Sequence, residues 1–309
     1  MILSASRRTD IPARYAVWFL RRLEDGLFLV PNPHHAKLLY RIAFTPGDID
    51  VLVFWTKNPR PMFDQGILDA IDRFGRPYYF QFTLTPYGDS LEPHLPPIAE
   101  RIEIFQRLAG RLGVDRVVWR YDPVVVTDTF SETWHAEKFA LLCDRLAGST
   151  RRCIFSFVGN YRHLKQPLPE IDEPCRRRMA TMFSRIAAEF HLPLAACCET
   201  FDVDGTGIEH ASCIDRTLIE RLLGRPIRAV KDKGQRAACR CVESIDIGMY
   251  DSCPHGCIYC YANRSASRVA RCMAAHDPDS PMLIGRPRGD ETVIDRDVSP
   301  LRAIQPTLF

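Results

Sequence analysis

Along the first two-thirds of the chain, nearly continuous apolar runs alternate with stretches whose apolar residues recur every three or four positions. The runs occupy residues 51–55 (VLVFW), 78–84 (YYFQFTL), 116–121 (RVVWRY), 153–158 (CIFSFV) and 192–197 (LPLAAC), with a shorter candidate at 2–6. They are rich in β-branched and aromatic residues and lack polar alternation, the pattern of parallel strands covered on both faces. Between them, 13–24 places Trp18, Phe19 and Leu23 on one helical face, and 98–112 aligns Ile102, Phe105, Leu108 and Leu112. Helices are also predicted over 131–146, opening on the N-cap residue Ser131, and over 174–190 and 215–223. Gly26, Gly75, Gly113, Gly148 and Gly224 fall at or near the ends of these helices, where a left-handed cap favours glycine.

Strand–helix units repeated in this number predict an α/β fold with a parallel sheet, closed fully or partly as a (β/α) barrel. The segment 161–175 reads as a long loop over one mouth of it. From about Asp277 the chain turns Pro-, Arg- and Asp-rich. The expectation is therefore one α/β unit over 1–276, followed by a tail over 277–309 that is partly disordered or packed on the barrel.

Composition changes this picture little. With 46% hydrophobic and 26% charged residues the 309-residue chain is of ordinary globular type. Its formal charge of +3 gives no argument for a nucleic-acid or membrane partner. The N-terminus lacks the pattern of a signal peptide, and no apolar run approaches the roughly 18 residues of a membrane span. A cytoplasmic protein is expected, in which clustered cysteines bind metal or do chemistry rather than form disulfides.

Five of the 12 cysteines lie within residues 239–260. The core of that window is C-x₃-C-x₂-C at Cys253, Cys257 and Cys260, with Tyr259 before the last cysteine, Gly256 at the turn and Pro254 stiffening it. Three thiolates on one tight loop can hold three irons of a [4Fe–4S] cluster and leave the fourth open. A zinc knuckle, completed by His255 or by Cys239 and Cys241, is the competing reading. Cys239 and Cys241, joined by Cys198 and Cys213, are also candidates for a second, auxiliary iron–sulfur or zinc site. Otherwise they are small buried hydrophobes.

The C-x₃-C-x-aromatic-C pattern resembles the signature of radical S-adenosylmethionine (SAM) enzymes. That resemblance implies a [4Fe–4S] cluster, SAM chelated to its open iron, and an external reductant such as flavodoxin or ferredoxin. The loop itself is similar to that of the spore-photoproduct-lyase-like branch. Motifs that follow the cluster loop in that branch stand here ahead of it: Trp55-Thr56-Lys57-Asn58-Pro59, then Thr83 and Thr85 with Glu92-Pro93, then Arg120-Tyr121-Asp122-Pro123. The order implies a circularly permuted barrel. Its first strand, roughly 242–250, would come from the C-terminal part and pair beside the strand beginning at Ile2. The chain as a whole also resembles an uncharacterised bacterial family with a C-terminal cysteine cluster.

Under this resemblance Lys57 pairs with the SAM carboxylate, Thr83 or Thr85 binds the methionine moiety, and Tyr259 belongs to the cofactor site. Arg120 holds SAM or an anionic substrate. Arg7, Arg8 and Asp10 are substrate-facing candidates, since paired basic side chains at a strand end can clamp phosphate or carboxylate. The substrate is left open between nucleic acid and an anionic small molecule. The alternatives are a non-catalytic zinc- or cluster-stabilised module that binds nucleic acid or protein, and an electron carrier, which needs four ligands and no large barrel.

Overall fold

The computed structural model describes residues 1–161, 164, 167–199 and 206–302. In chain order its elements are β1 (Ile2–Ala5), α1 (Ile11–Arg14), α2 (Ala16–Asp25), β2 (Leu27–Asn32), β3 (His35–Ala43) and β4 (Val51–Thr56). There follow α3 (Arg60–Asp64), α4 (Ile67–Phe74), β5 (Tyr78–Thr83), α5 (Ile98–Leu112), β6 (Val117–Val124), α6 (Glu132–Leu146), β7 (Cys153–Phe157) and α7 (Glu173–Glu189). The last are β8 (Leu194–Ala196), β9 (Glu209–His210), α8 (Arg216–Leu223), β10 (Ile245–Asp246), α9 (Ala266–Ala274) and β11 (Thr292–Asp295).

Eight strands form one parallel sheet in the order β10-β1-β4-β5-β6-β7-β8-β9. The expected pairing is present: Leu3 stands in register with Ile245 and Ser4 with Asp246. The C-terminal strand, Ile245–Asp246, is shorter than 242–250, and Val242 makes an antiparallel bridge to Lys231 outside the sheet. Strand residues alternate between two buried layers, which explains the absence of polar alternation. Leu3, Leu52, Phe54, Phe80, Phe82, Trp119 and Phe155 pack under α2 and α4 to α7, through residues such as Phe19, Ile71, Phe105, Phe139 and Phe183. Ile2, Val51, Val53, Tyr79, Val118 and Ile154 face the other way, against Leu218 and Ile219 of α8 and against Cys197, Cys213, Cys239 and Cys241. Capping fixes the helix starts: the Ser131 side chain accepts from Trp134 N, and Asp215 accepts from Thr217 N and Leu218 N.

Residues 277–302 of the tail lie against the rest of the chain. Its apolar Met282, Leu283 and Ile284 are buried, and Trp18 Nε1 donates to Ser280 O at 2.9 Å. Further on, β11 pairs with β3 in a second sheet, β11-β3-β2, built on the β2–β3 hairpin. Pro31 inside β2 breaks the usual strand signal, and the strand tolerates it at the sheet edge. Residues 303–309, and Arg162, His163, Lys165 and Gln166 of the expected mouth loop, lie outside the described residues, and α7 ends that loop at Glu173. No helix among the described residues is long and apolar enough to cross a membrane.

Candidate active site

The C-terminal ends of successive strands open into a cavity of about 430 Å³, within the usual range for small-molecule sites. Its wall takes Ser6 and Arg7 after β1, Thr56 and Lys57 from β4, Thr83 from β5, Arg120 and Asp122 from β6, and Ser156 from β7. Cys197 and Cys198 follow β8 into it, and the loops bearing Arg236, Cys239 and Cys241 and Cys253 to Ala262 close it. The three cysteines of the C-x₃-C-x₂-C loop therefore meet Lys57, Thr83 and Arg120 across one cavity.

The cysteine loop is held shut by its own polar groups. Asp251 N donates to Ala262 O at 2.9 Å, and Asn263 Nδ2 donates to Cys253 O at 2.6 Å. Gly256 sits at φ +69°, in the left-handed region, and a Cβ there would stand 2.9 Å from His94 Cδ2, so glycine is required on two counts. The loop is also tied to distant parts of the chain. His255 Nε2 is 2.8 Å from Asp10 Oδ2, Ile258 N donates to Leu91 O, and the Tyr261 hydroxyl donates to Arg7 O.

Beneath the loop lies a buried carboxylate, Glu92. Glu92 Oε1 accepts from Lys57 Nζ and Thr85 Oγ1, each at 2.7 Å, and from the Tyr259 hydroxyl. Arg101 Nη1 stands 3.3 Å from its other oxygen. Burial works against ionisation of Glu92, but Lys57 and Arg101 outweigh it and hold the carboxyl below its ordinary value. Its signal in the sequence was the Glu-Pro pair alone. What makes it a hub is that four chain segments reach it.

The predicted residues fall into different places. Arg7 and Arg120 flank the Trp55 ring, each guanidinium carbon 5.2 Å from the ring centroid. Arg7 is 3.3 Å from Asp232, and Arg120 pairs with Asp122, which also accepts from the Ser156 hydroxyl. Arg8 stacks over Tyr250 and reaches the cavity wall. Asp10, expected to face substrate, is on the cavity wall and also caps α1 through Ala13 N and accepts from Lys57 N. Of the two threonines, Thr83 is on the cavity wall, whereas Thr85 is fully buried, off the wall and bonded to Glu92. Lys57 lines the cavity with one of its three donors committed to Glu92. Asp246, not singled out in the sequence, binds the two ends of the chain together by accepting from Ser4 Oγ, Ser6 Oγ and Arg7 N. Gly248 beside it is obligatory, since a Cβ would lie 1.9 Å from Ser6 Oγ.

Burial raises all three loop thiols, Cys253 well above its ordinary value, Cys257 to about 12 and Cys260 less far. Alone they are neutral at pH 7, and only an adjacent cation would hold them as thiolates. Among the described residues, no three His, Cys, Asp or Glu side chains are grouped as ligands to a single metal ion. Ligands to separate irons of a cluster need no such convergence.

A family model described as a domain of unknown function (DUF1848) matches residues 2–262, and the chain belongs to that family. No curated protein matches the chain.

Proposed function

We propose that this member of the DUF1848 family is a radical SAM enzyme, with a [4Fe–4S] cluster on Cys253, Cys257 and Cys260. The observation that carries the reading is the placement of that trio, on a closed loop, across one cavity from Lys57, Thr83 and Arg120 at the strand ends. When bound, the cluster and SAM would supply reductive cleavage of SAM to methionine and a 5′-deoxyadenosyl radical that takes a hydrogen from substrate. The protein's own task is to bind, orient and keep out water.

In this reading Glu92 holds Tyr259, and so the spacing between Cys257 and Cys260, while aiming Lys57 at the cavity. The two donors of Lys57 not used by Glu92 are available to a carboxylate, and Thr83 offers a hydroxyl beside them. Arg7 and Arg120, fixed against Trp55, present positive charge on the opposite wall and favour an anionic small molecule. We read the sheet as a permuted (β/α) barrel, partial or complete. Its order advances one strand at a time, and the strand before the cysteine loop stands first, beside β1. A cytoplasmic setting and a small electron-carrier protein as reductant follow from this chemistry.

The test is anaerobic reconstitution with iron and sulfide. The reduced protein should give an electron-paramagnetic-resonance signal that changes on adding SAM, and should release 5′-deoxyadenosine with reductant. Cys257→Ala should abolish both. A signal indifferent to SAM with no 5′-deoxyadenosine overturns the reading, and a colourless protein holding one zinc would make the chain a metal-stabilised binding module.

A further inference from the structure

The remaining feature that demands an occupant is a ring of thiols on the same cavity, away from the C-x₃-C-x₂-C loop. Cys197 Sγ and Cys213 Sγ are 3.3 Å apart. Cys213 also interacts with Cys241, Cys241 with Cys239, Cys239 with Cys198, and Cys198 with Cys197. Each thiol thus neighbours two others, and the five come from separate stretches of chain: the end of β8, the turn before α8, and the segment bridged at Lys231 and Val242. All five line the cavity, four of them buried and Cys198 half-buried.

Free cysteines used as small core residues have no reason to close into a ring. Donors and positive charge reach these sulfurs, and Cys241, alone of the five, is held below the ordinary thiol range. Arg120 Nη1 donates to Cys213 Sγ, and Ile214 N donates to Cys241 Sγ at 3.3 Å. Arg7 and Arg236 lie close enough to act electrostatically on Cys241 and Cys198 respectively. Backbone N–H and guanidinium donors around sulfur are what thiolate ligands of a cluster need, since such contacts tune it and offset its charge.

We infer that Cys197, Cys198, Cys213, Cys239 and Cys241 form a second metal centre, an iron–sulfur cluster bound by four of the five thiols and facing the same cavity as the first. Cys197 joins the four cysteines singled out in the sequence because the turn after β8 carries it onto Cys213. This centre goes beyond the radical reading and does not rest on it.

The decisive protein is the Cys253→Ala, Cys257→Ala, Cys260→Ala triple variant, full length, reconstituted anaerobically with ferrous iron and sulfide. About half the iron and acid-labile sulfide of the parent, roughly four of each per chain, should remain with a Mössbauer signature of a cluster. Adding Cys239→Ser and Cys241→Ser should remove it. A triple variant that folds, by circular dichroism, yet keeps no iron overturns the inference, as does one holding zinc alone or a Cys197–Cys213 disulfide. If the triple variant does not fold, alkylation of the parent decides. Reconstitution should protect Cys239 and Cys241 from maleimide at least tenfold, and unchanged labelling overturns the inference. SAM cleavage by the parent is measured alongside. Retained iron without cleavage sinks the proposed function and leaves the second centre standing.

Discussion

Replacing Glu92 by Gln tests whether a buried carboxylate organises the cavity floor. Its side chain is fully buried, and its two cationic partners differ: Lys57 is 15% exposed and Arg101 1%. Lys57 can recruit water from the cavity when its partner is neutralised. Arg101 cannot leave, because its guanidinium also donates to Pro96 O and Thr85 O. Removing one partner of a buried pair costs about 3–5 kcal/mol, chiefly through the orphaned charge, and Lys57's access to water puts the expected loss near the lower figure. For a chain of 309 residues about 3 kcal/mol lowers Tm by roughly 4–6 °C. Urea and thermal denaturation read the loss directly. A double-mutant cycle with Arg101→Met should recover more than about 1 kcal/mol of it.

The pH dependence has a definite sign. Glu92 ionises more readily folded than unfolded, so it contributes stability above the usual carboxylate range. That contribution is lost as pH falls through the folded value, and the Gln variant should lack this acid limb. A loss below about 0.5 kcal/mol at pH 7, or an unchanged acid limb, would refute the argument.

Two other outcomes follow from single side chains. Lys57→Ala should weaken SAM binding by roughly 10- to 100-fold, the worth of one charge-assisted hydrogen bond, while leaving iron content unchanged. Equilibrium dialysis and iron analysis of the same sample check both halves. His135, buried between the Tyr121 hydroxyl and Val125 O, has its imidazole pushed down to about 4 by burial and stays neutral at pH 7. Because the unfolded chain takes up this proton near pH 6.5, stability should fall by up to about 1.4 kcal/mol per pH unit between 6.5 and 4. His135→Phe should flatten that interval in denaturation curves.

Much of the scaffold was legible because it is local. The apolar runs became β1, β4, β5, β6, β7 and β8, and 98–112 became α5 without change of boundary. Ser131 and Asp215 cap their helices, and Gly26 and Gly224 adopt the left-handed conformation at helix ends, because capping needs only neighbours a few positions away. The cysteine trio was visible for the same reason.

Tertiary structure decided what local spacing cannot carry. The separation of Thr83 from Thr85 fell outside the pattern because β5 ends at Thr83, so the two-residue alternation that would place both on one face stops there. The apolar patch of the tail went unread because three residues are too short for any periodicity, and only burial beside Trp18 gives them a place. Glu92 joins Tyr259, 167 positions away, and Asp246 joins Ser4 across 242. Such contacts depend on which strands become neighbours. The amino-acid sequence by itself determined the parallel strands, the helices that cover them and one set of three cysteines. Only folding brought the ends of the chain side by side, set the trio against Lys57 and closed five other thiols into a ring. Burial of both sheet faces removes the polar alternation that would otherwise have shown, in advance, which side each residue serves.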